Sequence, residues 1–253
     1  MSQPWEIYDA LLDGLPEDIV VRTAGQGPRW SRVLNSAGGV GTAWTMDVRS
    51  RPALSDDGPL DGRPLRDVGA LVKSWNLAEA SIGQAAINSW YSREQTAAAN
   101  GFEPTGEGLT WRQVFDPYRE MIVGKRVAVI GHFPFAEAAL AGAGEYICLE
   151  RNLQPGDWPD SACEYVLPEC DLVFISSSSF VNKTAPRLIE LSRDAHTVLV
   201  GPSTPLNPVL LDYGVDTITG FVAASSLSDP ASLAEMVPAG DIGPGFRVHR
   251  HRA

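Results

Sequence analysis

The residues best suited to chemistry crowd into the second half of the chain, where apolar β-branched runs break into hydroxyl, amide and charged side chains. DLVFISSSSFVNKT (171–184) ends one run in Ser177, Ser178, Asn182, Lys183 and Thr184, and VLVGPSTPLNP (198–208) ends another in Ser203 and Thr204. An ammonium flanked by an amide and a hydroxyl at a helix opening suits a carboxylate or phosphate, because the unpaired helix N–H groups add to the fixed charge. Lys183 is therefore the leading candidate for a charged contact, against the ordinary fate of lysine as a solvated surface residue. The GPSTP turn, pinned between prolines, offers two hydroxyls and the Thr204 N–H from rigid backbone, or is a plain strand-end turn. Nothing resembling G-x-S-x-G surrounds Ser176 to Ser179, so these serines carry no nucleophile signature.

An earlier strand, VAVIG, leads into Gly131-His132-Phe133-Pro134-Phe135. A dinucleotide fingerprint needs further glycines so that a pyrophosphate can touch backbone, and here bulky side chains fill that space; NAD and FAD are not expected. Glu150, ending the next strand, stands where a ribose-binding acid would, or is a solvated strand-end carboxylate. In an enzyme either Glu150 or Lys183 would serve as general acid or base. Asn88, late in a helix, is either a helix-surface or capping residue or a site residue; spacing alone does not separate these. Cys148, Cys163 and Cys170 show no CxxC spacing and read as buried thiols, Cys148 packing as a small hydrophobe within YICLE. The four histidines are too scattered to suggest a metal cluster, and the terminal HRHRA reads as a frayed end with at most weak metal affinity.

The elements that must position these residues follow from periodicity. A helical stripe over 5–15 precedes strands near 18–23 and 30–47, whose glycines mark the turns of a small antiparallel meander. A helix begins near Pro64, and a second, 76–91, is rich in small residues that permit close contact; Gly83 within it implies tight packing or backbone access to a ligand. Residues 92–110, with no apolar period and three glycines, read as the interdomain connection, and 111–122 as a helix. From Arg126 onward strands and helices alternate, which implies a doubly wound, mostly parallel sheet. Ligands in such sheets bind beyond the carboxyl ends of the strands.

The 253 residues carry 31 acidic and 20 basic side chains, a net charge of −11, and 44% hydrophobic residues. The charge disfavours nucleic acid and anionic membrane surfaces, and the hydrophobic share suffices for one large core or two modest ones. No segment has the apolar length to span a bilayer, and the chain is read as cytoplasmic.

Together, GQAAIN (83–88), GHFP (131–134), Glu150 with Gly156-Asp157, Leu167-Pro168 with Asp171, NKT (182–184) and GPSTPL (201–206) resemble the heavy-metal chelation family. The likeness extends through most of the chain. It implies an α/β protein: an enolase-N-terminal-like α+β domain over 1–105, followed by a Rossmann-like doubly wound domain over 106–253. It further implies a site between them, handling a metal or metal chelate. His132, Glu150 and Asp157 are donors if they converge. The family's glycine among the hydroxyls after the third strand is replaced here by serine throughout 176–179. The leading expectation is a binder of a small anionic metabolite or metal chelate in the interdomain cleft. Its contacts would be Asn88, Gly131, His132, Ser177, Ser178, Asn182, Lys183, Thr184, Ser203 and Thr204. A divalent metal ion is the candidate cofactor and a second copy of the chain a candidate partner. The alternative is a non-redox enzyme, a lyase, isomerase or transferase, using the same pocket.

Overall fold

The computed structural model describes residues 3–50, 58–106 and 111–252. Helix α1 (Glu6–Asp13) precedes the strands β1 (Val21–Gln26), β2 (Trp30–Asn35) and β3 (Val40–Trp44), which form an antiparallel sheet in that order. Helix α2 (Leu65–Gly69) runs into a 3-10 turn, Ala70–Lys73, and the long α3 (Leu77–Tyr91) follows. Because α3 packs against β2, β3, α2 and that turn, it is buried on nearly all sides, which its small residues allow. The backbones approach so closely that a Cβ on Gly41 would lie 2.0 Å from Ala85 O, and one on Gly83 2.1 Å from Val72 N. Gly83 thus serves packing.

The chain continues through α4 (Glu94–Ala99), β4 (Glu103–Pro104), β5 (Arg126–Ile130), α5 (Ala136–Ala139), β6 (Glu145–Glu150), β7 (Trp158–Pro159) and α6 (Cys163–Val166). It ends with β8 (Leu172–Ser176), α7 (Ala185–Leu191), β9 (His196–Val200), α8 (Val209–Asp212), β10 (Thr217–Ala223), α9 (Pro230–Ala239) and β11 (Gly245–His251). The larger sheet has the order β4-β11-β10-β9-β8-β5-β6-β7, parallel from β7 to β10 with β11 and β4 antiparallel at one edge. Numbered from β5, its parallel part has the Rossmann order 3-2-1-4-5-6, with the reversal of direction between β5 and β8. Both faces are covered. Ala128, Val173, Ile175 and Leu199 enter a core shared with Ile7, Tyr8, Leu11, Ile87 and Tyr91 from the first part of the chain. Val127, Val129, Phe174 and Val198 enter another with Phe115 and Tyr118. Among the described residues no helix is long and apolar enough to cross a membrane.

Within 92–106, the described part of the expected connection, lie α4 and β4, and β4 pairs with β11 at the sheet edge. Two expectations are corrected. Residues 111–122 hold two 3-10 turns, Trp111–Gln113 and Asp116–Tyr118, because Pro117 lacks the N–H an α-helix needs there. Residues 249–252 of the HRHRA end are no frayed tail: Gly245–His251 pairs with β10 along its whole length, and Arg252 N–H donates to Asp216 O at 2.7 Å. Alternating side chains let one face of that strand take polar residues without breaking the ladder.

Candidate metal centre

Parallel pairing sets the ends of β5, β6 and β7 side by side: Val129 opposes Cys148, and Leu149 opposes Trp158. Ile147 and Leu149 point into the shared core, so strand alternation turns Cys148 to the other face. His132 from the turn after β5 and Asp157 from the turn before β7 meet it there. One ring nitrogen, the Cys148 Sγ and one carboxylate oxygen all lie within 4.8 Å of one another, the sole such group of three donors among the described residues.

The surroundings hold these donors in place. His132 Nδ1 lies 3.0 Å from each Asp157 oxygen, and Gln154 N–H donates to Asp157 at 2.9 Å. Glu150 pins the β5 turn: it accepts from His132 N–H at 2.9 Å with one oxygen, and from Arg151 N–H at 2.7 Å and Asn152 N–H at 2.9 Å with the other. Burial pushes the Asp157 carboxyl up, but the hydrogen bonds from Gln154, His132 and Cys148 outweigh it and leave the group below the usual carboxylate range. Burial, then the neighbouring Asp157, pushes the Cys148 thiol up to about 12. The Asp157 side chain is 3% exposed and that of His132 35%, so solvent reaches the cluster from the histidine side. A buried sulfur, an imidazole and a carboxylate fit a borderline or soft divalent ion better than Mg²⁺ or Ca²⁺, which favour oxygen donors.

The remaining candidates fall into separate groups. At the switch point, Gly131 takes φ +99°, and a Cβ there would lie 2.9 Å from the Ser176 Cβ, so the β5 and β8 turns abut. Ser178 Oγ is 2.9 Å from Ser176 Oγ, while Ser177 is buried against Gly201. Ser203 and Thr204 join Asn88 in a buried network. Asn88 donates to Thr42 O at 2.8 Å and Ser203 O at 3.0 Å, Ser203 Oγ accepts from Trp44 N–H at 2.8 Å, and the Thr204 hydroxyl donates to Gly201 O at 2.7 Å. Asn182 Oδ1 accepts from Thr184 N–H and its hydroxyl, at 3.1 and 2.6 Å, opening α7.

Lys183 is the one non-glycine residue at positive φ, 67°, among the described residues. Its half-buried Nζ donates to Ser74 O and, at 2.9 Å, to Val181 O, and lies 5.6 Å from the centroid of the Trp75 ring. Burial pulls the amine down to about 8, opposed by Glu79. Asn88, Ser203 and Lys183 thus join the two parts of the chain, while His132 and Glu150 belong to the β5–β6 edge. The sulfur donor of this group escaped sequence reasoning, because Cys148 within an apolar run carries no signal without its neighbours.

Family models described as "Putative heavy-metal chelation" match residues 8–91 and 113–247. The chain belongs to that heavy-metal chelation family. A crystal structure of a family protein with unknown function from Desulfitobacterium hafniense DCB-2 shares 37% identity at a TM-score of 0.85, covering 98% of each chain. Another, from Pyrococcus horikoshii, shares 20% identity at a TM-score of 0.77, covering 98% of this chain and 99% of that one, and supports the fold alone. No curated protein matches. The family description agrees with metal binding in general terms and assigns no ligands; the donor chemistry of His132, Cys148 and Asp157 is the observation of this structure that fits it.

Proposed function

We propose that the protein binds a borderline or soft divalent metal ion through His132, Cys148 and Asp157. The observation that carries this reading is the convergence of nitrogen, sulfur and oxygen donors within 4.8 Å on a turn braced by Glu150. Zinc-type ligand bonds of about 2.0 to 2.3 Å need donors only a few ångströms apart, so small side-chain shifts suffice. Cys148 ligates as thiolate, with release of its proton. An external donor, from water or from an organic chelator, completes the coordination, and a metal chelate is then the form of ligand the site takes. Equilibrium dialysis against Zn²⁺ or Cd²⁺ tests this. Cys148→Ala and His132→Ala should each weaken binding by about tenfold or more, with circular dichroism unchanged. Wild-type affinity in both variants removes the site.

A second reading, a non-redox enzyme using Lys183 as acid or base, is favoured by the lowered amine. The direction of its Nζ toward two backbone carbonyls favours a clamp between α7 and the Ser74–Trp75 segment instead. For the same reason the binding of an anion by Lys183 is the weaker reading. Turnover lost in Lys183→Met while metal content persists would establish the enzyme.

A further inference from the structure

The opposite edge of the large sheet holds a second pair of metal-type donors. His249 and His251 stand two residues apart on β11, hence on one face, with ring centroids 4.9 Å apart and planes at 64°. Each ring is oriented through the same nitrogen: His249 Nδ1 lies 3.0 Å from Thr105 Oγ1, and His251 Nδ1 lies 3.0 Å from Thr217 Oγ1. Thr217 Oγ1 also lies 3.5 Å from His196 Nε2. A hydroxyl has one proton and two lone pairs; with the proton given to His196 Nε2, Thr217 Oγ1 accepts from the Tyr118 hydroxyl, its third partner, and from His251 Nδ1–H. Thr105 is placed to accept likewise from His249. Both Nε2 lone pairs are then free, each imidazole being held by its other nitrogen as metal-ligating histidines usually are.

Glu103 pairs directly across from His249 and so shares its face. His251 is exposed and His249 half-buried, which leaves the pair open to an ion from solvent. We propose that His249 and His251 form a second metal site, selective for imidazole-seeking divalent ions such as Ni²⁺, Cu²⁺ or Zn²⁺, with Glu103 as an auxiliary carboxylate ligand. Such a site ties β11 to the short β4 at the sheet edge. It involves none of the residues of the His132 cluster, and stands or falls independently of it.

The test is equilibrium dialysis of the full chain against Ni²⁺ with metal analysis. In a His132→Ala, Cys148→Ala background, about one equivalent of nickel should remain bound, and adding His251→Gln should weaken that binding by at least about tenfold. His251→Gln alters an exposed ring near the end of the strand, and circular dichroism checks that the fold persists. Paramagnetic broadening by Cu²⁺ in the wild type supplies a readout free of substitution: the amides of Thr105, Thr217 and residues 248–251 should broaden. Nickel binding unchanged by His251→Gln, or broadening confined to the His132 turn, overturns the proposal.

Discussion

Glu150 ends β6 with both carboxylate oxygens committed to backbone N–H groups, so its charge acts on the conformation of the turn that carries His132. Glu150→Gln keeps the shape but leaves one oxygen and replaces the other with a donor facing N–H groups. Metal affinity should fall by about 10- to 100-fold, the usual effect of disturbing a ligand's support, while the fold is retained. Unaltered Zn²⁺ affinity would show that the turn holds itself. At Lys183 the question is protonation. Its amine lies below the ordinary lysine value through burial, so in the window above about pH 8 the folded state holds fewer protons than the unfolded one. Stability contributed by this group therefore rises with pH across that window. Acetylation at limiting reagent, read residue by residue by mass spectrometry, should show an inflection near pH 8 at Lys183, and stability above pH 8 should depend less on pH in Lys183→Met. An inflection only above about pH 10 would mean that the amine is as accessible as a solvated one.

At the scale of elements, α3 and β3 meet backbone to backbone in the first part of the chain. Gly41→Ala would set a Cβ against Ala85 O and Ser89 N at 2.0 and 2.1 Å, and backbone cannot yield as a flexible side chain does. A loss of about 3 kcal/mol or more is expected, at the upper end of overpacking costs. Gly142→Ala is the control: its nearest neighbours would lie 4.0 Å away and φ is not in the left-handed region, so the change should stay within about 0.5 kcal/mol. Equal melting temperatures for the two variants would refute this account of the packing. The same contact fixes Asn88, whose side chain reaches Ser203 only because the helix lies so close to the sheet.

Over the whole molecule, the division near residue 105 does not coincide with a division of the core. Ile7, Tyr8, Leu11, Ile87 and Tyr91 pack in one cluster with Val173, Ile175, Phe180 and Leu199, and Tyr8 OH donates to Phe180 O at 3.0 Å. Separating the two parts would expose both sides of that cluster, at roughly 25 cal/mol for each Å² of apolar surface. The chain should therefore unfold in one transition by calorimetry and by near-ultraviolet circular dichroism, and fragments 1–105 and 106–253 should fail to fold when expressed apart. Two resolved transitions, or a folded fragment with dispersed amide signals, would establish independent domains.

Periodicity in the sequence determined most of the architecture. The β-branched runs from Arg126 onward could only be buried parallel strands, the glycines between 25 and 41 marked the meander, and the small residues of 76–91 announced a helix pressed against its neighbours. The parts missed were those whose conformation depends on a distant partner: β4 is extended because β11 lies beside it, and β11 because β10 does. For the site, the loops at the strand ends were legible as a class, whereas the assortment of their side chains was not. Lys183, Ser203 and Asn88 each have types suited to a ligand and spend them on backbone carbonyls and amides that only the packed structure supplies. Cys148 shows the reverse, an apolar-looking thiol made into a candidate ligand by strand register alone, because β5, β6 and β7 bring His132 and Asp157 to it from far along the chain. Alternation tells which residues share a face of a strand; which faces meet is a property of the sheet order, and that was settled by tertiary packing.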